Sequence, residues 1–120
     1  NPTAFEAAAV RGEAEVSRML VRDTQQALAR EIRVALHERQ HARELRPVIL
    51  DLSLQPARAA LAEVLKRYEG GAVGLVETLS VRRELLSAEE AYLQACANVH
   101  RADANLEYVA AGPVFGRTGT

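Results

Sequence analysis

Few residues in this sequence have the types and spacing that chemistry requires. His37 and His41 are four residues apart, so on a helix they would share a face and could together bind a transition metal. Two ligands make a weak site, and Glu38 and Glu44 nearby do not complete a known metalloprotease motif. Solvated surface histidines are therefore the favoured interpretation.

The other reactive side chains also favour structural roles. Cys96 has no His or Asp partner fixed by the sequence, which favours a buried, inert thiol. His100 falls on a heptad track and is expected to lie in a helix seam. Glu89 and Glu90 are neighbouring carboxylates that nothing places in a cleft. The sequence therefore predicts no catalytic residue, no metal and no cofactor, and we expect the chain not to be an enzyme.

The stretch that organises the chain is Arg67 to Leu79. Gly70, Gly71 and Gly74 fall within it, and strong helix formers flank it on both sides. Adjacent glycines adopt positive φ at little steric cost, so Gly70 or Gly71 can end a helix. A phosphate loop is disfavoured because no Gly-Lys-Ser/Thr follows. The stretch predicts the tip of a helical hairpin.

Composition limits the class of protein. The 120 residues are 48% apolar but only 4% aromatic, and 15 basic residues nearly balance 16 acidic ones. This balance gives no indication of nucleic-acid binding, and the single cysteine excludes an internal disulfide. No apolar run of about 18 residues is present, so no membrane-spanning helix is expected, and no signal peptide is apparent. Because the chain opens at Asn1-Pro2 without a Met, we expect a piece of a longer product.

The first arm is predicted to be one long helix. Thr3 can act as its N-cap, with Glu6 as the reciprocal partner of a capping box. No proline occurs between Ala4 and Arg46, which allows a helix of more than 40 residues. The spacing of apolar residues predicts a seam facing other helices. The seam runs through Val16, Leu20, Ala27 and Val34, with Leu28, Ile32 and Leu36 beside it.

Two prolines interrupt this arm. Pro47 and Pro56 each remove a backbone hydrogen bond, so the helix is expected to kink or break near them. Asp51 or Ser53 could cap a new start before Pro56. A reversal that folds the arm back on itself is the alternative, which is disfavoured because no glycine lies between Arg46 and Arg58.

The second arm is predicted from about Leu75 to Ala111. Its two heptad tracks make an apolar band wide enough to need neighbours on two sides. Gly112-Pro113 would end the helix, so residues 1–112 form an all-α, coiled-coil-like antiparallel hairpin with its tip at 69–75, and residues 113–120 form a flexible tail. The tracks are Leu79, Leu86, Leu93 and His100, and Leu85, Tyr92, Val99 and Leu106.

The tip also carries a family resemblance. Arg67-Tyr68, Gly71, Val76-Glu77-Thr78-Leu79 and Leu85-Leu86 resemble the pattern R-Y-x-x-G-x-x-x-x-L-D-V-L-x-A-x-x-x-L-L. This pattern marks the second helical hairpin of the TolC-like outer-membrane efflux factors. Val76, Glu77, Thr78 and Val81 depart from it. Family members are several times longer, with two hairpins and barrel strands that this sequence lacks, so the chain resembles one hairpin of such a protein.

The resemblance implies a role in export. In the family the hairpins form a periplasmic tunnel of trimers, whose tips dock a periplasmic adaptor protein linked to an inner-membrane pump. It implies a periplasmic location within an outer-membrane protein, self-association and no nucleic acid. A stand-alone helical-bundle interaction module is the alternative. The implied adaptor contacts are Gly70, Gly71, Val73, Gly74 and Leu75, and the implied inter-hairpin packing residues are Arg67, Tyr68, Leu79, Leu86 and Leu93.

Overall fold

The computed structural model describes residues 3–112 as an extended helical hairpin. The first arm consists of helix α1 (Ala4–Ile49), a π-helical turn (Leu50–Leu54, here the π-turn) and helix α2 (Gln55–Glu69), and the second arm is helix α3 (Leu75–Ala110). The molecule measures 102 × 30 × 19 Å with a Cα radius of gyration of 27.9 Å. A compact domain of this length would have a radius of about 14 Å. The all-α hairpin is therefore confirmed, and a folded-back bundle does not fit.

The start of the first arm follows the sequence prediction. The Thr3 hydroxyl accepts a hydrogen bond from the Glu6 backbone N–H, and the Thr3 N–H donates to the Glu6 carboxylate, both at 3.2 Å. This capping box satisfies two backbone donors of a 46-residue helix. The segment Ala4–Asp23, here the overhang, is almost wholly exposed because α3 ends opposite Thr24 to Leu28.

The two arms meet along one heptad seam of small and medium-sized side chains. Its members recur at alternating steps of three and four residues, the pattern of knobs-into-holes packing. Ala35, Ala88 and Ala95 are buried within it, and small side chains of this kind let helix backbones approach closely. The seam comprises Leu28, Ile32, Ala35, Arg39, Ala42, Arg46 and Ile49 of α1, and Thr78, Val81, Leu85, Ala88, Tyr92, Ala95, Val99, Ala102, Leu106 and Val109 of α3.

This seam corrects part of the sequence interpretation. In α1 the predicted line through Val16, Leu20 and Val34 is exposed, and the seam runs one residue away through Leu28, Ile32 and Ala35. One residue along a helix is a rotation of about 100°, so neighbouring apolar tracks point in different directions. The first arm thus packs both small and large side chains against α3, from Ala35 to Ile32 and the fully buried Leu54.

The second arm shows the same division between its two tracks. Tyr92, Val99 and their track lie in the seam, as predicted, whereas Leu86 and Leu93 are exposed. His100 is also exposed, so its predicted place in the seam is wrong. The boundary at Ala110 lies one residue from the prediction, and Gly112 takes a positive φ of 74° just beyond it. The predicted tail 113–120 lies outside the described residues.

The first arm does not reverse at its prolines. Pro47 lies inside α1, and the α-helix gives way to the π-turn at Leu50, where the Gln55 N–H donates to the Leu50 carbonyl. Asp51 and Ser53 cap nothing, because α2 follows the π-turn directly, with no side-chain hydrogen bond at its start. The interruption is thus a change of helix type within one continuous rod.

The π-turn also restores the seam. In α1 the seam steps by three or four residues as far as Ile49, but the next fully buried residue is Leu54, five residues on, followed by Ala57, Leu61 and Val64. One extra residue in an α-helix would rotate everything after it by about 100°. The π-turn takes up that residue, so α2 keeps its apolar face on α3.

Candidate functional site

The tip of the hairpin is built on a Schellman motif at the end of α2. The Ala72 N–H donates to the Arg67 carbonyl at 2.8 Å, and the Gly71 N–H donates to the Tyr68 carbonyl at 3.0 Å. Gly71 carries the positive φ of 76° that this motif requires. Gly71 is therefore both the tip glycine with the left-handed backbone and the glycine that matches the efflux-factor pattern.

The far side of the tip is closed by Val73 and Thr78. Gly74 is extended and precedes α3, and the Thr78 hydroxyl donates to the Gly74 carbonyl at 3.1 Å. Thr78 is buried and Val73 is 9% exposed, so both side chains fill the space between the arms. Val73, predicted as a partner contact, thus packs inside the hairpin end in the free chain.

The exposed surface of the tip combines glycines and apolar side chains with the flanking charges of Glu69 and Glu77. Gly70, Gly71 and Gly74 are exposed, while Leu75 and Val76 at the start of α3 are 55% and 83% exposed. Glycines let another backbone approach closely, and the two exposed side chains offer apolar contact area.

The predicted packing residues are exposed beside the tip and along α3. Leu79, Leu86 and Leu93, here the leucine stripe, lie one heptad apart and point away from the first arm, with exposures of 43%, 51% and 67%. Tyr68 is 42% exposed, and Arg67 is exposed beside it. The structure therefore leaves all five residues of the predicted packing set accessible to a neighbour.

A cross-arm cluster that sequence reasoning missed lies away from the tip. Asp103 of α3 accepts a hydrogen bond from Arg39 Nε at 2.8 Å and forms an ion pair with Arg43, whose Nη2 lies 3.1 Å from the same carboxylate oxygen. The hydrogen bond from Arg39 is the largest cause that lowers the pKa of the Asp103 carboxyl, partly offset by desolvation. A lowered pKa means that the pairing stabilises the hairpin above the usual aspartate range and is lost as pH falls through the folded-state pKa.

This cluster could have been predicted from the spacing of Arg39 and Arg43 only if the residues of α3 that lie opposite them had also been known. The two arginines are one helical turn apart, so their side chains can converge on one carboxylate. Which carboxylate they reach depends on how far the arms are displaced along each other, which is fixed by the length of the tip. The cluster joins the two arms at the register that the tip sets.

The candidate metal residues do not form a site. Within residues 3–112 no group of three or more His, Cys, Asp or Glu side chains is arranged to hold an ion. His37 and His41 are both exposed, and His41 lines a shallow groove with Glu38 and Arg101. Cys96 is half-buried rather than fully buried as predicted.

Comparisons with known proteins give no assignment. No family model matches the chain, and neither a curated protein nor a solved structure matches it. Within the described residues, none of the helices has the length and apolar character needed to cross a bilayer.

Proposed function

We propose that the chain is a wall element of a TolC-like export conduit, with a tip that docks a periplasmic adaptor protein. The observation that carries this proposal is the position of the resemblance in the fold. Arg67 and Tyr68 supply the carbonyls of the Schellman motif, Gly71 supplies its left-handed residue, and Leu79 begins the leucine stripe. The pattern therefore coincides with the residues that turn the chain and with those that remain exposed beside the turn.

The dimensions support a wall element. A rod of 102 Å with one narrow seam leaves large apolar side chains outside along both arms, including Val34, Val48 and Leu52 on the first and Leu86 and Leu93 on the second. A soluble monomer rarely leaves so many large apolar residues uncovered. Helices with a seam on one side and an apolar stripe on another side are typical of assemblies in which each helix has two neighbours.

The faces of the two arms that point away from the seam offer matching surfaces for such neighbours. Ala59 and Ala62 are exposed on α2 at the level of the leucine stripe, and Ala97 and Ala104 are exposed on α3 at the level of Val34 and Val48. Large side chains on one arm can thus pack against small ones on the next hairpin at each level. In a conduit wall the leucine stripe of one hairpin would contact the alanines of its neighbour.

The tip role is tested by photocross-linking in the cells that naturally produce the protein. A photoreactive residue at Leu75 is expected to cross-link a protein with an inner-membrane anchor and a periplasmic helical hairpin, identified by mass spectrometry. The same probe at His37, which is exposed on the first arm far from the tip, is the matched control and should not capture it. Capture of cytoplasmic proteins, or equal capture at both positions, would contradict the proposal.

A further inference from the structure

The leucine stripe has a charge pattern that nothing within the hairpin uses. Arg82 and Arg83 precede Leu86 by four and three residues, and Glu89 and Glu90 follow it by three and four. Leu79 and Leu93 each lie seven residues from Leu86. The three leucines and these four charged residues are therefore placed symmetrically about Leu86, with the sign of the charge reversed.

These charges are unpaired within the described chain. The ion pairs formed among residues 3–112 all involve Asp103, and none includes Arg82, Arg83, Glu89 or Glu90. Each arginine is six to eight residues from the glutamates, beyond the three- or four-residue spacing at which side chains of one helix meet. Arg82, Arg83 and Glu90 are exposed, and Glu89 is half-buried.

We propose that the leucine stripe is a self-recognition surface, through which two copies of the chain pair with their α3 helices antiparallel and Leu86 on the two-fold axis. In this arrangement Leu79 packs beside the partner's Leu93, and Leu86 packs beside the partner's Leu86. At about 100° per residue, Arg82 and Glu89 flank the stripe on one side, and Arg83 and Glu90 flank it on the other. In an antiparallel pair the flank with Arg82 and Glu89 lies against the same flank of the second copy, and so does the flank with Arg83 and Glu90. Arginine therefore meets glutamate on both flanks.

The orientation follows from the charges. A parallel pair in register would place Arg82 and Arg83 against the same arginines of the partner, and the glutamates against glutamates, which is unfavourable. The antiparallel pair instead gives four ion pairs around three layers of leucine. The first arm does not obstruct it, because the stripe points away from the seam.

This pairing concerns the free chain and goes beyond the conduit role. The same leucines contact a neighbouring hairpin in the proposed wall, so the two partners exclude each other. Leu75 lies on the same face one turn before Leu79, so in the antiparallel pair it lies beside Ala97 of the second copy. The two proposals are still separated by their readouts, because pairing is measured by sedimentation of the isolated chain and the tip role by capture of an adaptor in cells.

Charge exchange tests the proposal with the full chain in sedimentation equilibrium at low salt. The double variants R82E/R83E and E89K/E90K should each weaken self-association by at least about tenfold, because four weak ion pairs become four repulsions. An equimolar mixture of the two should restore dimers to the wild-type level. The matched control R30E/R33E, on the exposed face of α1, should associate as the wild type does. A wild-type chain that stays monomeric at high micromolar concentration would overturn the proposal.

Cross-linking then tests the orientation, in a Cys96→Ser background. A mixture of L79C and L93C chains should give a disulfide-linked dimer under mild oxidation, because these positions face each other across the axis. L79C alone should remain uncross-linked, since its two copies lie about 20 Å apart in the antiparallel pair. Efficient self-cross-linking of L79C would indicate a parallel pair and would overturn the proposed arrangement.

Discussion

Gly71 and Gly12 differ in whether the backbone conformation requires a glycine. Gly71 has a φ of 76° and is the left-handed residue of the Schellman motif at the tip, whereas Gly12 lies inside the overhang with open space around it. Only the first needs to be glycine for conformational reasons. Sequence reasoning could narrow the turn to Gly70 or Gly71 but could not choose, because either residue can supply a left-handed turn.

Substitution of alanine separates these two glycines. Gly71→Ala should destabilise the hairpin by about 1–2 kcal/mol, because an alanine Cβ is strained at positive φ. The free energy of unfolding by urea measures this cost. Gly12→Ala is the matched control and should slow amide exchange in the overhang by about two- to fivefold, since glycine in a helix interior costs about 0.5–1 kcal/mol. An unchanged stability of Gly71→Ala would mean that the tip does not use this motif.

The interruption of the first arm was only partly predictable at the scale of elements. Pro47 and Pro56 correctly marked where the α-helix is interrupted, and the capping box and the start of α3 were also correct. The type of interruption was not foreseen, because a proline removes one hydrogen bond without specifying how the backbone adapts. The extra residue becomes visible when the seam positions before Ile49 are compared with those after Leu54. This comparison requires knowing which of two apolar tracks is buried, and the sequence does not show that.

Deletion of Asp51 tests the role of the π-turn. Asp51 is exposed and caps nothing, so its removal costs no buried contact of its own. A continuous α-helix would then place Leu54 four residues after Ile49 and keep Leu61 and Val64 facing α3. We therefore expect amide exchange in α2 to stay as slow as in the parent chain. Deletion of Ala60, an exposed residue within α2, is the matched comparison, and it should rotate Leu61 and Val64 by about 100° away from α3 and speed exchange there.

At the scale of the whole molecule, the length and the hairpin form could be predicted, whereas the lateral surfaces could not. Glycines and helix formers defined the two arms, and about 65 residues in the first arm predicted a rod near 100 Å, in agreement with 102 Å. The two apolar tracks of the second arm predicted neighbours on two sides, which stays a prediction. The sequence could not say which track faces the other arm, because both tracks are largely apolar and share the same heptad spacing.

The proposed export role depends on a first arm that runs straight through its prolines to the tip. A distance measurement between spin labels at Val34 and Leu65 tests this most directly, since both residues are exposed and lie on either side of the interruption. The labels are placed in a Cys96→Ser chain diluted with unlabelled protein, so that only distances within one chain are observed. A continuous rod predicts a separation of about 45 Å. A distance of about 20 Å or less, as expected for helices packed side by side, would show that the arm folds back and would contradict the account.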